Sequence, residues 1–374
     1  MLGVERRAMY KSFRVKNFRC FKDLQINDLG RVNLIAGKNN TGKTALMEAA
    51  LMLSSPLTPN LLLDLLSSRG IIDSDKNRRD VWQQIFYGLD TTCEINLYGV
   101  ERNSYERSRC LSIIELASME SNPQHLANYI QRAKEIGYFR DGYVDTRGTS
   151  MLVYSFSFPN SESGLTSVYL ASKPELPFYT SNSADISFVY FPAEARRNPQ
   201  ERANVFSTIE LHGELPKLIS YLEILEPNLT DMRLLSLSGN LTIWGRVDSH
   251  QIPLRLMGTG INRFADIAMS IMVEKPQVIF IDEVENGVHY SAQSDIWKAI
   301  NEVSEAMDIQ VFATTHSLEM IRAAYEAFSE DEKLDEFRYH RLSRSRKSGE
   351  LRATTYNELD MKAVAAFNFD HEVR

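Results

Sequence analysis

Residues 37–44 of the sequence fit the pattern GxxxxGK[ST]. Its glycines allow a tight turn in which successive backbone N–H groups point at phosphate oxygens. Lys43 would reach the β- and γ-phosphates of a nucleoside triphosphate, and the Thr44 hydroxyl would ligate Mg²⁺. The pattern therefore predicts a P-loop whose nucleotide-binding residues are Gly37, Asn39, Asn40, Thr41, Gly42, Lys43, Thr44 and Ala45.

Two adjacent acids, Asp282 and Glu283, follow the apolar run 278–281. A buried parallel strand would deliver both carboxylates at its carboxyl end, where open α/β sheets bind ligands. Asp282 would hold Mg²⁺ through a water, since hard cations prefer oxygen ligands. Glu283 would polarise the attacking water as a general base. With a P-loop upstream, the pair predicts a Walker B motif rather than a strand that ends in solvated acids.

A histidine, His316, and a GxG segment, residues 258–260, are weaker candidates for parts of the nucleotide site. His316 follows the next apolar run, 309–313. A lone histidine is usually structural, but this position favours a hydrogen bond to the γ-phosphate. Residues 257–260 read Met-Gly-Thr-Gly and open an amphipathic helix with apolar residues at 261, 264, 265, 268, 271 and 272. A plain tight turn would explain this GxG equally well.

The elements that must position these groups are visible in the local patterns. Residues 32–36 form a β-branched, apolar run typical of a buried strand, and 45–53 are strong helix formers without Gly or Pro. Strands are also expected at 12–15 and 25–26. Ser317 is suited to cap a helix at its N-terminus, and that helix is expected to span 318–328.

The rest of the chain suggests an organisation but little chemistry. Further strands are expected at 93–100, 110–116, 151–158, 165–170 and 186–192, and helices at 61–66, 80–87, 123–136 and 205–225. We expect one α/β domain, 1–374. Its parts are the first strands, P-loop and first helix (1–53), a β-rich lobe with a helical insertion (54–195), a helical subdomain (196–256), and the GxG, Walker B, His316 and C-terminal hairpin (257–374).

Several arginines have two interpretations each. Arg19 lies between Phe18 and Phe21, two expected core residues, and either contacts phosphates or is solvated. A second group of arginines follows the strand expected at 186–192: Arg196, Arg197 and Arg202. These residues either sense the γ-phosphate or a polynucleotide, or they belong to a polar loop. A hairpin at 337–356, turning at 347–350, contains six basic residues against the single acid Glu350, namely Arg338, Arg341, Arg344, Arg346, Lys347 and Arg352. It is either a binding patch or a solvated hairpin.

Composition limits the class of protein. The chain has 374 residues, 43% hydrophobic and 24% charged, with a formal net charge of −7, so global charge does not indicate nucleic-acid binding. The cysteines are Cys20, Cys93 and Cys110, without CxxC spacing. This disfavours a disulfide framework or a cysteine zinc site and favours the reducing cytoplasm. No apolar run is long enough to span a bilayer, and no secretory signal is visible; no membrane partner is expected.

Together, the motifs resemble those of ABC-type ATPases of the SMC/RecF/OLD group, in particular bacterial AAA-family ATPases with an OLD-like ATPase domain. The resemblance runs from Phe13 to Arg374 and is specific at residues 17–21, 37–44, 257–260, 282–290 and 314–317. It implies a P-loop NTPase fold with a mixed sheet. It also implies that Gly258, Thr259 and Gly260 stand where the ABC signature stands and complete the ATP site of a second subunit. Residues 285–289 fall where the family has its D-loop, which crosses the dimer interface.

The sequence also departs from members of that group. It has no LSGGQ, coiled coil or CxxC hook, which disfavours a transporter ATPase, a full SMC protein and a break-repair ATPase. The stretch after His316 is too short for a TOPRIM nuclease domain plus closing strands, so any nuclease is expected on a separate chain.

The resemblance implies slow ATP hydrolysis with Mg²⁺ by a homodimer or higher homo-oligomer. Its nucleotide state would gate a separate effector protein, for which a nuclease is one candidate, in a two-component bacterial anti-phage defence system. A RecF-like repair ATPase that binds DNA directly is one alternative. A nucleotide-gated scaffold with negligible turnover is the other.

Overall fold

The computed structural model of the chain describes residues 10–54, 83–102, 106–115, 150–157, 163–169, 186–193, 198–237 and 240–366. The helices expected at 61–66 and 123–136, with Arg196 and Arg197, lie outside the described residues. The strands are β1 (Tyr10–Phe18), β2 (Phe21–Ile26), β3 (Val32–Ala36), β4 (Ile95–Glu101), β5 (Glu106–Glu115), β6 (Ser150–Ser157), β7 (Ser163–Tyr169), β8 (Phe188–Phe191), β9 (Leu229–Leu237), β10 (Asn240–Val247), β11 (His250–Pro253), β12 (Val278–Ile281), β13 (Gln310–Thr315), β14 (Phe337–Arg344) and β15 (Leu351–Tyr356). The helices are α1 (Lys43–Ser54), α2 (Pro199–Leu211), α3 (Leu215–Glu223), α4 (Thr259–Glu274), α5 (Gln293–Ala306), α6 (Leu318–Glu330) and α7 (Glu358–Ala366).

A six-stranded central sheet contains the predicted chemistry. Its order is β15-β14-β3-β13-β12-β8. All neighbours pair in parallel except β14 and β15, which are antiparallel. The sheet is therefore mixed, and the α/β fold expected from the sequence is confirmed.

The central sheet separates two hydrophobic cores, because alternate residues of its buried strands face opposite sides. Ile279 and Ile281 of β12 pack with the helices that include α2, α4, α5 and α6. Val278 and Phe280 pack with α1 and with the first strands of the chain. Burial on both faces explains why these strands read as continuous apolar runs.

Helix α1 lies inside the second core. All but one of its residues are buried, Thr44 being the exception. A helix that is apolar all round is stable only when it is enclosed. Here it is enclosed by the central sheet and by a second, antiparallel sheet with the order β2-β1-β4-β5-β6-β7. The strands expected at 93–100, 110–116, 151–158 and 165–170 are found in this sheet as β4 to β7.

Two expected parts of the chain need correction. The antiparallel sheet also contains β1 and β2, so the β-rich lobe includes the start of the chain as well as residues from 54–195. The segment 196–256 is only half helical: after α2 and α3 it forms the three-stranded sheet β11-β10-β9. The alternation of Asp231, Met232, Arg233 and Leu234 is that of a strand, with Met232 buried and Arg233 exposed.

The C-terminal hairpin expected at 337–356 is present as β14 and β15, and Gly349 in its turn has a φ of +71°. Its strand β14 is an interior strand of the central sheet with Phe337, Tyr339 and Leu342 buried, whereas Arg344, Arg346, Lys347 and Arg352 are exposed. No helix among the described residues is both long and apolar enough to cross a membrane.

Candidate functional site

Three neighbouring parallel strands bring the predicted site residues to one edge of the central sheet. Ala313 of β13 pairs with Leu34 of β3 on one side and with Ile281 of β12 on the other. The carboxyl ends of parallel strands meet at the same edge, where ligands bind in open α/β sheets. The P-loop after β3, Asp282 after β12 and His316 after β13 therefore share that edge.

The P-loop is held in shape by two glycines. Gly42 has a φ of +86°, and a Cβ on it would lie 2.5 Å from Cys20 Sγ. A Cβ on Gly37 would lie 2.6 Å from the main-chain oxygen of Leu342. Neither position has room for a larger residue, and Gly42 also needs the left-handed conformation. The β1–β2 turn and strand β14 thus fix the loop from two sides.

The Lys43 side chain closes the P-loop. Its ammonium donates hydrogen bonds to the main-chain oxygens of Gly37, at 2.8 Å, and Lys38, at 3.3 Å. The Thr41 hydroxyl donates to the same Lys38 oxygen at 2.8 Å. The lysine therefore already lies over the loop whose amides would cradle phosphates.

The two Walker B acids are held by β13 and by their own loop. Asp282 is buried and accepts a hydrogen bond from the Thr314 hydroxyl, which in turn accepts one from the Glu283 main-chain N–H at 2.8 Å. Glu283 has a φ of +49°, a left-handed conformation that is found at functional sites. The Asn286 amide donates to Glu283 Oε2 at 2.8 Å and to the Ala193 oxygen at 3.2 Å. The Glu283 carboxylate is thereby aimed by a neighbour rather than left to solvent.

His316 is clamped by Glu285. The Glu285 Oε1 atom lies 2.9 Å from His316 Nδ1 and accepts the His316 main-chain N–H at 2.7 Å. The imidazole is 47% exposed, whereas the carboxylate is only 9% exposed. In the sequence, Glu285 falls in the segment that resembles the D-loop, and no role of its own was expected for it. Its spacing of two residues from Glu283 was the available signal.

Arg263 is a second residue that the sequence analysis missed. It donates a hydrogen bond to the Asp282 main-chain oxygen at 2.6 Å. Burial lowers the pKa of both Lys43 and Arg263, and among the nearby carboxylates Glu285 opposes each shift most strongly. Two cations therefore face the acids on β12 and its loop.

The GxG segment begins α4 and is joined to the loop after β12. Gly258 has a φ of +104°, and the helix starts at Thr259. The Thr259 hydroxyl donates a hydrogen bond to the Gly287 main-chain oxygen. Gly258 and Thr259 are both exposed. The segment thus borders the D-loop of its own chain and presents its helix start to the exterior.

The two interpretations of Arg19 and Arg202 can be compared with the structure. Arg19 is 3.0 Å from Glu48 and is only 11% exposed, so the solvated alternative is wrong. Arg202 pairs with Asp266 at 2.6 Å and donates to Asn262, which ties α2 to α4. Both arginines contribute to the packing around the site.

The basic hairpin, residues 337–356, stands beside the P-loop. Its strand β14 runs parallel to β3, with Arg341 level with Ala36 at the entrance to the loop. Arg338 pairs with Asp28 at 2.7 Å, and Arg344 donates to the Gly349 oxygen at 2.7 Å. The remaining basic residues have no ion-pair partner within the described ranges, namely Arg341, Arg346, Lys347 and Arg352.

Comparison with known proteins places this geometry in a family. The model described as AAA ATPase domain matches residues 9–92 and 182–321, together more than half of the chain. The matched ranges contain the P-loop, both Walker B acids and His316.

Individual relatives agree with that match. An ATP/GTP phosphatase of Helicobacter pylori is 26% identical over 336 residues, 84% of this chain and 86% of the relative. An uncharacterized protein of Methanocaldococcus jannaschii is 40% identical over 60 residues, 16% of this chain and 27% of that protein. Among solved structures, the SmcHead bound to the C-winged helix domain of ScpA aligns with a TM-score of 0.51 at 11% identity. It covers 95% of this chain and 99% of its own, and it shows a shared fold.

Proposed function

This chain belongs to the AAA ATPase domain family and is an ATP-binding ATPase, and from that premise we propose that its nucleotide state gates a separate effector protein. A two-component anti-phage defence system of bacteria, with a nuclease as a candidate effector, is the setting that fits the motifs. Three cysteines without CxxC spacing suit the reducing cytoplasm.

Each residue on the carboxyl edge has a role in this proposal. The P-loop amides and Lys43 bind the phosphates, and the ammonium exchanges its two main-chain acceptors for phosphate oxygens. Glu283, aimed by Asn286, takes a proton from the attacking water. His316 hydrogen-bonds the γ-phosphate. What supports this scheme is that one sheet edge presents all three groups.

Thr44 and Asp282 are the proposed Mg²⁺ ligands. Within the described ranges no group of three or more His, Cys, Asp or Glu side chains is placed to hold a metal ion. One hydroxyl and one buried carboxylate form a small oxygen donor set, which fits Mg²⁺ because that ion keeps waters and takes further oxygens from substrate phosphates. When bound, Mg²⁺ would neutralise charge on the phosphates.

We further propose that ATP is sandwiched between two copies of the chain, with Gly258, Thr259 and Gly260 completing the site in trans. Backbone amides at the start of α4 can bind an anion there. The exposure of Gly258 and Thr259 supports this arrangement, because a partner's nucleotide could reach them.

Gly260→Asp is expected to weaken ATP-dependent dimerisation about 100-fold or more and to reduce turnover with it, because like charges across an interface repel. The variant should still fold. A Cβ at Gly260 would lie 3.7 Å from Ile296 Cδ1 and 4.0 Å from Val288 Cα, which are ordinary contacts. Mass photometry with ATP, in a Glu283→Gln background that retains ATP, measures the dimer.

The matched control is Gly260→Ala, which adds the same Cβ without charge and should dimerise normally. Two results together would contradict the composite site. The Glu283→Gln protein would stay monomeric with ATP, and the specific activity of the wild type would not depend on protein concentration.

The observation on which the effector proposal chiefly depends is the position of the basic hairpin. β14 touches the P-loop at Gly37 and continues into exposed Arg346 and Lys347. A partner bound to these cations would adjoin the nucleotide, so that occupancy of the P-loop could alter its binding. An acidic patch on a protein would complement the hairpin.

Arg346→Glu with Lys347→Glu is expected to abolish co-purification of the effector while leaving ATP turnover within about threefold, since surface charges at a binding interface act mainly on association. These positions are preferable to Arg344, which donates to the Gly349 oxygen and so supports the turn. Co-expression with the product of the adjacent gene, followed by pull-down with and without ATP, makes the measurement. Lys11→Glu with Arg102→Glu reverses two exposed charges elsewhere and is the control.

Direct DNA binding is the second candidate, since unpaired cations also suit phosphates. Fluorescence anisotropy with duplex and single-stranded DNA decides between the two. Under the effector proposal, DNA affinity is negligible near physiological salt. Submicromolar, ATP-dependent binding that the hairpin reversals remove would favour a RecF-like ATPase. In that case, the slope of the logarithm of the DNA-binding constant against the logarithm of the salt concentration would become shallower. The change would be about 0.9 for each contact to duplex DNA that the substitutions remove.

A further inference from the structure

Glu285 is a largely enclosed carboxylate that the scheme above leaves without a role. Its Oε1 atom contacts His316 twice, accepting the main-chain N–H at 2.7 Å and lying 2.9 Å from the ring Nδ1. Both contacts use one oxygen, so they fix the backbone and the ring of His316 together. Among the hydrogen bonds and ion pairs of the described residues, no other side chain is bonded to both.

This contact determines which ring nitrogen can face a ligand. A carboxylate beside Nδ1 selects the form with a proton on Nδ1. Nε2 is then the nitrogen left for a phosphate oxygen. A neutral ring would present a lone pair there, whereas an imidazolium presents an N–H. The Glu285 carboxylate therefore orients the ring through Nδ1, much as the acid of a catalytic triad orients its histidine.

The loop that contains Glu285 is anchored at both ends. Upstream, the Val284 N–H donates to the Thr314 oxygen at 2.9 Å. Downstream, the Thr259 hydroxyl donates to the Gly287 oxygen. The carboxylate therefore has a fixed place relative to β13, the strand that ends at His316.

The other oxygen of Glu285 indicates that the residue is more than a structural contact. Oε2 is buried and accepts no hydrogen bond from the described residues. Leaving a buried acceptor unsatisfied is destabilising. Such a group calls for an explanation, and a catalytic role is one that its contacts with His316 support.

We propose that Glu285 is a positioning residue of the ATPase reaction, which orients His316 so that the ring presents Nε2 to the γ-phosphate. This inference depends on the role proposed above for His316. It assigns Glu285 an effect on turnover rather than on nucleotide affinity.

A double-mutant cycle between Glu285 and His316 tests the inference. Glu285→Ala should lower kcat about 10–100-fold, the usual range for a residue that orients a functional ligand. KM should stay within about threefold, because the residue acts in the transition state. Glu285→Gln should lose less, since its amide oxygen still accepts both hydrogen bonds. Glu285→Ala with His316→Ala should be no slower than His316→Ala alone.

Glu302→Ala is the matched control, because Glu302 is an exposed glutamate of α5 outside the site. Steady-state phosphate release gives kcat and KM, and thermal unfolding shows whether each variant folds. If Glu285→Ala does not fold, the nearly isosteric Glu285→Gln replaces it in the cycle. If His316→Ala lowers kcat and the two losses multiply, or if KM rises while kcat is unchanged, this inference is wrong. If His316→Ala leaves kcat unchanged, the role proposed for His316 fails instead, and this inference with it.

Discussion

Glu283→Gln is expected to bind ATP as tightly as the wild type and to lower kcat about 10²–10⁴-fold, the range lost when a general base is removed. Glutamine keeps the size of the side chain, and its amide oxygen can still accept the hydrogen bond from Asn286 that holds Glu283 Oε2 at 2.8 Å. A neutral amide, however, cannot take a proton from water. Phosphate release measures the loss, and equilibrium binding of a fluorescent ATP analogue measures affinity.

The interpretation of that result requires an intact fold. Glu283 is only partly buried and is not in either hydrophobic core, so the melting temperature should stay within a few degrees of the wild type. Glu302→Gln, the same substitution on the exposed face of α5, should leave both kcat and affinity unchanged. Turnover at the wild-type rate by Glu283→Gln would show that another group activates the water.

The sequence predicted the central strands well because burial on both faces leaves a simple signature. The run 278–281 was expected to be a strand and forms β12, with all its residues buried. The helix expected after Ser317 is α6, and the Ser317 hydroxyl accepts the Met320 N–H as an N-cap should. Once three such strands are parallel, the convergence of the P-loop, Asp282 and His316 follows from geometry.

The three-stranded sheet β9–β11 was missed because its local signals are weak. The turn between β10 and β11 contains Asp248 with a φ of +52°, and it lacks the glycine that typically indicates a hairpin in a sequence. Leu235 and Leu241 are large apolar residues that remain partly exposed, which blurs the alternation of a half-buried strand. Tertiary packing against α2 and α3, absent from any short window of sequence, decides the outcome.

Glu285 and Arg263 could not be assigned roles because their partners are distant in sequence. Glu285 meets His316 across 31 residues, and Arg263 meets Asp282 across 19. Hydrogen bonds of this kind depend on which loops leave the same edge of the sheet, and no spacing rule encodes that. The residues of known motifs could be identified from the sequence. The residues that contact and orient them, such as Glu285 and Arg263, could be identified only from the structure.

Lys43→Ala is expected to raise the Kd for ATP at least about 100-fold, about 2.7 kcal/mol, and to abolish measurable turnover. The ammonium would form charge-assisted hydrogen bonds to phosphate, each worth roughly 1.5–3 kcal/mol. Isothermal titration with ATP and Mg²⁺ measures the affinity. Lys38→Ala is the control, because Lys38 belongs to the same loop but its side chain is exposed and only its main-chain oxygen is used; its affinity should change less than about threefold.

The loss must come from the charge and not from collapse of the loop. In Lys43→Ala the oxygens of Gly37 and Lys38 lose a donor, but the Thr41 hydroxyl still bonds the Lys38 oxygen and Gly42 still packs against Cys20. The loop should therefore keep its shape. Lys43→Met separates the two causes, since methionine restores most of the side-chain volume without the ammonium. If Lys43→Met binds ATP as weakly as Lys43→Ala, the ammonium is the phosphate partner; if it restores the affinity, the side chain acts only by supporting the loop.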